Sequence, residues 1–213
     1  PEPIISVSGL RGIIGESLDP ELAIRYSAAF VSAIGEGPIV VTRDGRQSGS
    51  MLAGAVCSGL AACGRNVLYG NVAATPTTGI LVRDHRAAGG IQISASHNPE
   101  PYNGFKLFGP DGRVISAAQG QRVADAFEAR SPDWCSYRQL GAVQSLTDTT
   151  SAHLAAVLKT VDQAKISERR FKIVLDSNRG AGSILAAQLL KSLGCEFEIM
   201  GSQPDGQFEH PPE

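Results

Sequence analysis

Ser96 lies in the segment of the chain whose residue types are best suited to chemistry. It follows a short apolar run, residues 90–94, and begins a loop rich in histidine, asparagine and proline. In α/β sheets, ligands bind at the carboxyl ends of strands, which is where this loop would lie. Pro99 and Pro101 restrict the residues before them and stiffen the loop. A stiff loop suits a nucleophile or a phosphate carrier, because a phosphoryl group must meet its acceptor in line.

Lys106 follows the same loop after a short turn-like segment and could return to the region of Ser96. Its ammonium could neutralise phosphate charge, or act as a general acid or base in a desolvated site. The residue types alone equally allow a structured hairpin loop with a solvent-exposed lysine.

Two further loops carry arginines that could bind an anion. The glycine-rich stretch VSGLRGIIG surrounds Arg11, and taken alone it would more simply be an N-terminal edge strand and turn. Residues 42–49 read TRDGRQSG. Arg46 could approach a phosphate, but the alternating charges favour an interpretation in which Arg43, Asp44 and Arg46 pair with one another and order the loop.

The elements that must position these loops alternate between strand and helix. This βαβαβ rhythm predicts a three-layer α/β/α domain with a mostly parallel sheet. An Asn-Gly turn signal at residues 103–104 and a second turn at 110–112 add an antiparallel hairpin of residues 105–108 and 113–115. The alternating segments are strands at 38–42, 66–69 and 90–94 and helices at 50–63 and 75–83.

The second half of the chain predicts part of a second, similar domain. Residues 39–53 resemble residues 173–186, since both read as a strand, a polar loop with glycine, and a helix; any two βαβ units would share that likeness. We therefore predict domain I at 1–135, a linker at 136–150 and the N-terminal part of domain II at 151–213. The other predicted elements are helices at 117–129, 150–164 and up to Leu193, and a strand at 171–176.

Composition narrows the class of protein. The 213 residues are 42% hydrophobic and 19% charged with a net charge of -2, which indicates a globular protein and no nucleic acid or membrane partner. The four cysteines, Cys57, Cys63, Cys135 and Cys195, form no C-x-x-C pair and are expected to be free thiols in a reducing cytoplasm. The start at proline and the turn-like end indicate an excerpt of a longer protein.

Residues 94–99 (SASHNP) and 102–106 (YNGFK) resemble the active-site serine motif of the α-D-phosphohexomutases, roughly TASHNP followed by YNGxK. Serine replaces threonine at position 94 and keeps the hydroxyl. Ser8 to Gly12 (SGLRG) resembles the end of the family's GTSGxRG opening, and residues 42–49 resemble its GRDxRxSG loop with threonine for the first glycine. The resemblance covers nearly the whole chain and identifies it as the N-terminal portion of a family member.

The resemblance implies an isomerase that interconverts hexose 1-phosphate and hexose 6-phosphate through a phosphoserine at Ser96. Arg11 would bind the phosphate, Lys106 would handle charge or proton transfer, and His97 would donate or accept a hydrogen bond near the phosphate or sugar, unless it only orders the loop. Mg²⁺ would bind through an oxygen of phospho-Ser96, with its aspartate ligands outside this chain. Glucose, mannose and glucosamine phosphates all remain candidate substrates.

The implied partners are a hexose phosphate and the remaining domains of the same polypeptide, without which the fragment is expected to be inactive. One alternative is a noncatalytic sugar-phosphate-binding module. Another is a serine hydrolase that uses Ser96 and His97. The hydrolase is disfavoured because the chain has no G-x-S-x-G elbow at Ser96 and because adjacent residues rarely form a Ser–His pair.

Overall fold

The structure is a computed structural model that describes residues 2–130 and 132–211. Its elements follow the predicted alternation of strands and helices closely between residues 38 and 94, and α1, which was not predicted, precedes them. The strands are β1 (Ile4–Ser6), β2 (Gly9–Ile13), β3 (Ile39–Arg43), β4 (Val67–Val72), β5 (Gly89–Ile93), β6 (Tyr102–Phe108), β7 (Val143–Ser145), β8 (Lys172–Asp176) and β9 (Glu196–Met200). The helices are α1 (Pro20–Ser32), α2 (Ser48–Ala62), α3 (Thr75–Asp84), α4 (Ala117–Glu128), α5 (Ser151–Leu158), α6 (Gln163–Arg169) and α7 (Gly182–Ser192).

Within the described residues, seven strands form one mixed sheet in the order β1-β2-β6-β5-β3-β4-β7. β5, β3, β4 and β7 are parallel to their neighbours in this group, whereas β6 runs antiparallel to both β5 and β2. Because β3 and β5 are adjacent and parallel, the loops that follow them emerge at the same edge of the sheet. This arrangement confirms the predicted α/β fold class and brings residues 44–47 next to the Ser96 loop.

Helices cover both faces of the sheet. α1, α2 and α4 pack on one face, and α3 and α5 lie on the other. The side chains of β3 alternate accordingly, since Ile39 and Val41 join the apolar cluster under α1 and α2 while Val40 joins the cluster under α3. No helix in the described part of the chain is long and apolar enough to span a membrane.

The helix starts carry recognisable caps. The Asp19 Oδ1 accepts a hydrogen bond from the Leu22 amide at 2.8 Å, and Pro20 occupies the first turn of α1, where its missing N–H costs nothing. Ser116 and Gln119 form a reciprocal capping box at the start of α4. The capping box explains why α4 begins where the sequence predicts a helix, whereas α1 was not predicted although Asp19 and Pro20 are local signals for its start.

The Asn103-Gly104 dipeptide lies inside β6, so the turn predicted there is wrong. The buried Asn103 side chain donates to the Ser48 Oγ at 2.9 Å and accepts from the Gly104 amide at 2.8 Å. A Cβ on Gly104 would lie 2.3 Å from the Leu10 carbonyl oxygen of β2. Glycine is therefore needed here for the close approach of two strands and not for a turn.

The predicted hairpin of residues 105–108 and 113–115 forms only in part. The two segments meet in one antiparallel bridge, between Phe108 and Val114, and the Ile115 amide donates to the Leu107 carbonyl at 3.1 Å. β6 instead pairs with β5 on one side and with the N-terminal β2 on the other. The antiparallel strands of the sheet therefore come from a segment almost one hundred residues earlier in the chain.

The second half of the chain contains a separate βαβ unit. β8 and β9 pair in parallel and α7 connects them, which repeats the order of β3, α2 and β4. The helix predicted at 150–164 is divided into α5 and α6, because Asp162 caps α6 by accepting from the Lys165 amide at 3.2 Å. Residues 136–150 contain β7, which pairs with β4. The predicted domain boundaries remain a prediction.

Candidate functional site

The Ser96 loop begins directly after β5 and returns to β6. The Ser94 amide donates to the Gly104 carbonyl at 2.9 Å, and the Ser96 amide donates to the Ser94 Oγ at 3.0 Å. The hydroxyl at position 94 thus orders the loop, which explains why serine can replace threonine there. Ser96 itself has a φ of 55°, in the left-handed region, and its side chain is exposed. A non-glycine residue held in this region costs about 1–3 kcal/mol, so the surrounding structure must stabilise it.

Arg46 supplies much of that stabilisation. Its guanidinium donates to the carbonyl oxygens of Ser96 at 3.0 Å, Asn98 at 2.6 Å, Pro99 at 2.8 Å and Tyr102 at 3.0 Å. The side chain is only 3% exposed, so these bonds form away from water. The Ser96 loop is therefore tied to the loop that follows β3.

Asp44 orients this arginine. Its Oδ2 accepts from the Arg46 Nε at 3.2 Å and its Oδ1 accepts from the Arg46 amide at 3.0 Å. Arg43 differs from the expectation of mutual pairing, since its side chain donates to the Asp44 backbone carbonyl at 3.0 Å and to the Tyr69 hydroxyl at 3.3 Å. The loop is ordered as predicted, but through one ion pair and several backbone hydrogen bonds.

Arg11 and Lys106 lie on the neighbouring strands β2 and β6. A cavity of about 340 Å³ is lined by Ser8, Arg11, Ser96 and Lys106 together with backbone from both strands. Both cationic side chains are exposed, so they can reach a ligand in this cavity. The structure thus brings the predicted serine, arginine and lysine to the wall of one cavity.

A second cavity of about 220 Å³ also borders Ser96 and shares Ser94 and Gln92 with the first. Its lining includes Ser96 and Arg46 and, from the second half of the chain, Arg179 and Phe208. Arg179 pairs with Asp205, which fixes the guanidinium beside the segment that follows β9. Ser96 therefore lines both the cavity beside β2 and β6 and the cavity that residues 179–182 and 206–208 border.

His97 contacts the serine that precedes it. Its Nδ1 lies 3.3 Å from the Ser96 Oγ, although adjacent residues were expected to form such a pair only rarely. The separation is slightly beyond the 2.6–3.2 Å reach that is typical of a nucleophile and its base. His97 can exchange a hydrogen bond with the Ser96 oxygen, which fits the predicted role beside the phosphate.

A buried polar network below the site was missed at the sequence level. The Gln92 Oε1 accepts hydrogen bonds from both Thr42 and Thr78, and its Nε2 donates to the Ala73 carbonyl at 3.0 Å. Gln92 stands opposite Lys106 in the register of β5 and β6, so the two side chains lie on the same face of the sheet. A glutamine inside the apolar run of residues 90–94 was the signal that could have revealed this network.

The described residues do not form a complete metal site. Residues 2–130 and 132–211 contain no group of three or more His, Cys, Asp or Glu side chains that could hold an ion. Asp44, a carboxylate beside the Ser96 loop, is paired with Arg46. Mg²⁺ prefers several oxygen ligands in octahedral geometry, which these residues alone do not supply.

Comparisons with known proteins agree with this geometry. The family model for phosphoglucomutase/phosphomannomutase, alpha/beta/alpha domain I, matches residues 3–133. The probable phosphoglucosamine mutase of Methanothermobacter thermautotrophicus is 34% identical over 206 residues, covering 96% of this chain and 45% of the relative. The phosphoglucomutase/phosphomannomutase of Thermococcus kodakarensis is 35% identical over 205 residues, covering 94% of this chain and 45% of the relative.

Solved structures give the same result. A phosphoglucomutase/phosphomannomutase family protein from Burkholderia thailandensis matches 97% of this chain and 46% of its own with a TM-score of 0.82 and 29% identity. The pp63/parafusin phosphoglucomutase of Paramecium, at 17% identity and a TM-score of 0.77, shares the fold. The chain spans slightly less than half the length of these curated relatives and solved structures. It belongs to the phosphoglucomutase/phosphomannomutase family, whose domain I it contains.

Proposed function

We propose that the protein to which this chain belongs is a phosphohexomutase that interconverts hexose 1-phosphate and hexose 6-phosphate through phospho-Ser96. The observation that carries the proposal is the cavity in which the Ser96 hydroxyl, the Arg11 guanidinium and the Lys106 ammonium line one wall. A dianionic phosphate on Ser96 would meet two positively charged side chains there. Family membership supports a mutase and leaves the choice among glucose, mannose and glucosamine phosphates to experiment.

In the proposed cycle, the phosphoryl group leaves the Ser96 oxygen and forms a bond to a free hydroxyl of the hexose monophosphate. The hydroxyl proton passes to a nearby base or to the departing serine oxygen. The resulting hexose bisphosphate reorients and returns its other phosphoryl group to Ser96, so that the serine is regenerated as phosphoserine. No net phosphate is consumed, as an isomerisation requires.

The residues of this chain would act mainly through charge and position. Arg11 would donate two hydrogen bonds to the phosphate oxygens and stabilise charge that develops during transfer. Lys106 would neutralise the phosphate or move the hydroxyl proton. His97 would hold a hydrogen bond to the Ser96 oxygen. Mg²⁺, when bound to a phospho-Ser96 oxygen and to ligands contributed beyond the described residues, would supply further neutralisation of phosphate charge.

The chain would contribute the donor half of the active site. We propose that residues 1–135 form the phosphoserine domain, that 136–150 connect it, and that 151–213 begin a second domain. Because the relatives are about twice as long, we expect the chain alone to be inactive and the remaining domains to complete the metal and sugar sites. The four cysteines, all in the described chain, are free thiols, which is consistent with the cytoplasmic location that we propose.

The test is mutase turnover by the intact protein on glucose, mannose and glucosamine 1-phosphates with Mg²⁺. We expect Ser96→Ala to reduce turnover by at least about 10³-fold on every substrate that the wild type accepts. The matched control is Ser50→Ala, an exposed serine on α2, which should keep wild-type rates. A phosphosite mass measurement should place the phosphate on Ser96, and wild-type turnover in the Ser96→Ala variant would refute the assignment.

The contact between Ser96 and His97 also motivates a test for a serine hydrolase. A fluorophosphonate probe should leave Ser96 unlabelled if the serine is a phosphate carrier, whereas stoichiometric labelling would favour the hydrolase. Binding of hexose phosphates without turnover in the intact wild type would instead favour a noncatalytic binding module.

A further inference from the structure

Arg46 stands behind the Ser96 loop and has no assigned part in the chemistry. We propose that it is a positioning residue: its buried guanidinium sets the backbone of residues 96–102 in the conformation that presents the Ser96 oxygen to the cavity. This inference rests on the proposed function, because it assigns the loop a task in phosphoryl transfer. The proposed role also differs from the charge pairing that the sequence predicts for residues 43–46, because Arg46 donates to four backbone carbonyls of another loop.

The hydrogen bonds of Arg46 account for its full donor capacity. A guanidinium has five N–H groups, and here one donates to the Asp44 Oδ2 while the others donate to the carbonyls of Ser96, Asn98, Pro99 and Tyr102. In the described structure no N–H of this side chain is left over for a substrate or a phosphate. Arg46 therefore acts through the loop, in contrast to the exposed Arg11.

The planar fork of arginine is what this arrangement requires. The acceptors of Nη2 are the Ser96 and Asn98 carbonyls, and those of Nη1 are the Pro99 and Tyr102 carbonyls, so each nitrogen bridges two points of the loop. A lysine ammonium carries three donors on one atom and cannot span both pairs. The Ser96 carbonyl belongs to the residue with the left-handed φ of 55°, so the fork directly restrains the peptide that orients the hydroxyl.

Residues after β9 close this arrangement from the outside. The Phe208 ring lies over the guanidinium, with 5.2 Å between its centroid and the Arg46 Cζ. Gly206 approaches the Arg46 backbone so closely that a Cβ there would lie 2.5 Å from the Arg46 Cα. Because this cover excludes water, the loop carbonyls keep the guanidinium as their partner.

The experiment compares Arg46→Lys with Arg65→Lys in the intact protein. Arg65 is a close match, since it is 5% exposed, pairs with Glu36 at 2.8 Å and donates to the Gly35 carbonyl at 2.8 Å. It precedes β4 and therefore lies at the opposite edge of the sheet from Ser96. Both variants are assayed for kcat, KM, thermal unfolding and amide hydrogen exchange in residues 94–104.

We expect Arg46→Lys to lower kcat by about 100-fold, because a displacement of about 1 Å at a reacting group has such an effect, while KM changes less than about threefold. The amides of Asn98 and Tyr102, which donate within the loop at 3.1 and 3.0 Å, should exchange about tenfold faster. Arg65→Lys should lower the unfolding temperature and leave kcat within about twofold of the wild type. In Arg46→Ala, added guanidinium ion should restore part of kcat.

Three results would overturn the proposal: unchanged kcat in Arg46→Lys, unchanged exchange in residues 94–104, or equal losses of kcat in the Arg46 and Arg65 variants. Failure of the proposed function is distinguishable from these results, because it would appear as an inactive wild type. In that case the exchange comparison still decides whether Arg46 holds the loop.

Discussion

Gly104→Ala perturbs the junction between β2 and β6, the two strands that carry Arg11 and Lys106. The added Cβ would lie 2.3 Å from the Leu10 carbonyl oxygen and 3.1 Å from the Arg11 Cα. Both atoms belong to backbone and cannot rotate away. Reaching an ordinary contact distance of 3.4 Å from the oxygen requires a separation of the strands by about 1.1 Å (3.4 minus 2.3 Å).

The size of the expected change in the free energy of unfolding follows from this separation of the strands. Overpacking of a well-packed contact costs about 1–3 kcal/mol. Alanine returns about 0.4–1 kcal/mol by restricting the unfolded chain. We therefore expect a net loss of about 1.3 kcal/mol in the free energy of unfolding, the difference between the midpoints of these two ranges. A shift of this size between Arg11 and Lys106 should also lower kcat by about 100-fold.

The assay is thermal unfolding together with mutase turnover of the intact protein. Gly54→Ala in α2 is the matched control, because a Cβ at that exposed helical glycine meets nothing within 4 Å. Alanine there should stabilise the protein by up to about 1 kcal/mol and leave turnover unchanged. If Gly104→Ala were as stable and as active as Gly54→Ala, the argument that glycine is required for strand approach would be refuted.

Two further predictions concern titrating groups. Burial raises the pKa of the Cys57 thiol to about 11, so iodoacetamide at pH 8 should leave this cysteine unmodified in the native protein and modify it after denaturation; native labelling at Cys57 would contradict its burial. Hydrogen bonds to the Pro211 carbonyl and to Asp176 raise the pKa of His210 above its usual 6.5, and the bond to His210 lowers the pKa of Asp176 below 3.8. The contribution of His210 to the stability of the folded chain is complete below pH 6.5 and is lost as the pH rises through the raised pKa. The contribution of Asp176 is present above pH 3.8 and is lost as the pH falls through the lowered pKa. The pairing should therefore be strongest between pH 3.8 and 6.5, and an NMR titration should give His210 a midpoint above 6.5 that falls in Asp176→Asn; a wild-type midpoint at or below 6.5 would contradict the pairing.

The sequence was informative where short-range signals determine structure. The strand and helix order of residues 38–94 could be predicted because apolar runs and glycine stops are local. The motif around Ser96 could be recognised for the same reason. Arg11 and Lys106, which the resemblance assigned to the same site, then line the cavity beside Ser96 because β2 and β6 are adjacent.

The incorrect predictions concern contacts between segments that are far apart in the sequence. The Asn103-Gly104 dipeptide indicated a turn, but the cause of the glycine is β2, a strand more than ninety residues earlier. A local pattern contains no information about such a partner. Four of the acceptors of Arg46 were missed in the same way, since they are backbone carbonyls, which every residue possesses and which therefore leave no mark on composition.

Arg46 and Arg11 are the same residue type, and their different roles near Ser96 follow from their burial: Arg46 is buried and Arg11 is exposed. In the proposed function Ser96 carries a phosphate, so glycine, which would relieve the left-handed backbone at this position, would remove the hydroxyl that the function needs. The stabilisation has to come from another segment. Because β3 is adjacent and parallel to β5, the loop at its carboxyl end places Arg46 beneath the Ser96 loop. Arg11 lies on β2 and lines the open cavity. In the proposed function, Arg46, with all its donors committed, holds the Ser96 loop, and the exposed Arg11 binds the phosphate on Ser96. Exchanging these tasks would leave either the loop or the phosphate without its partner.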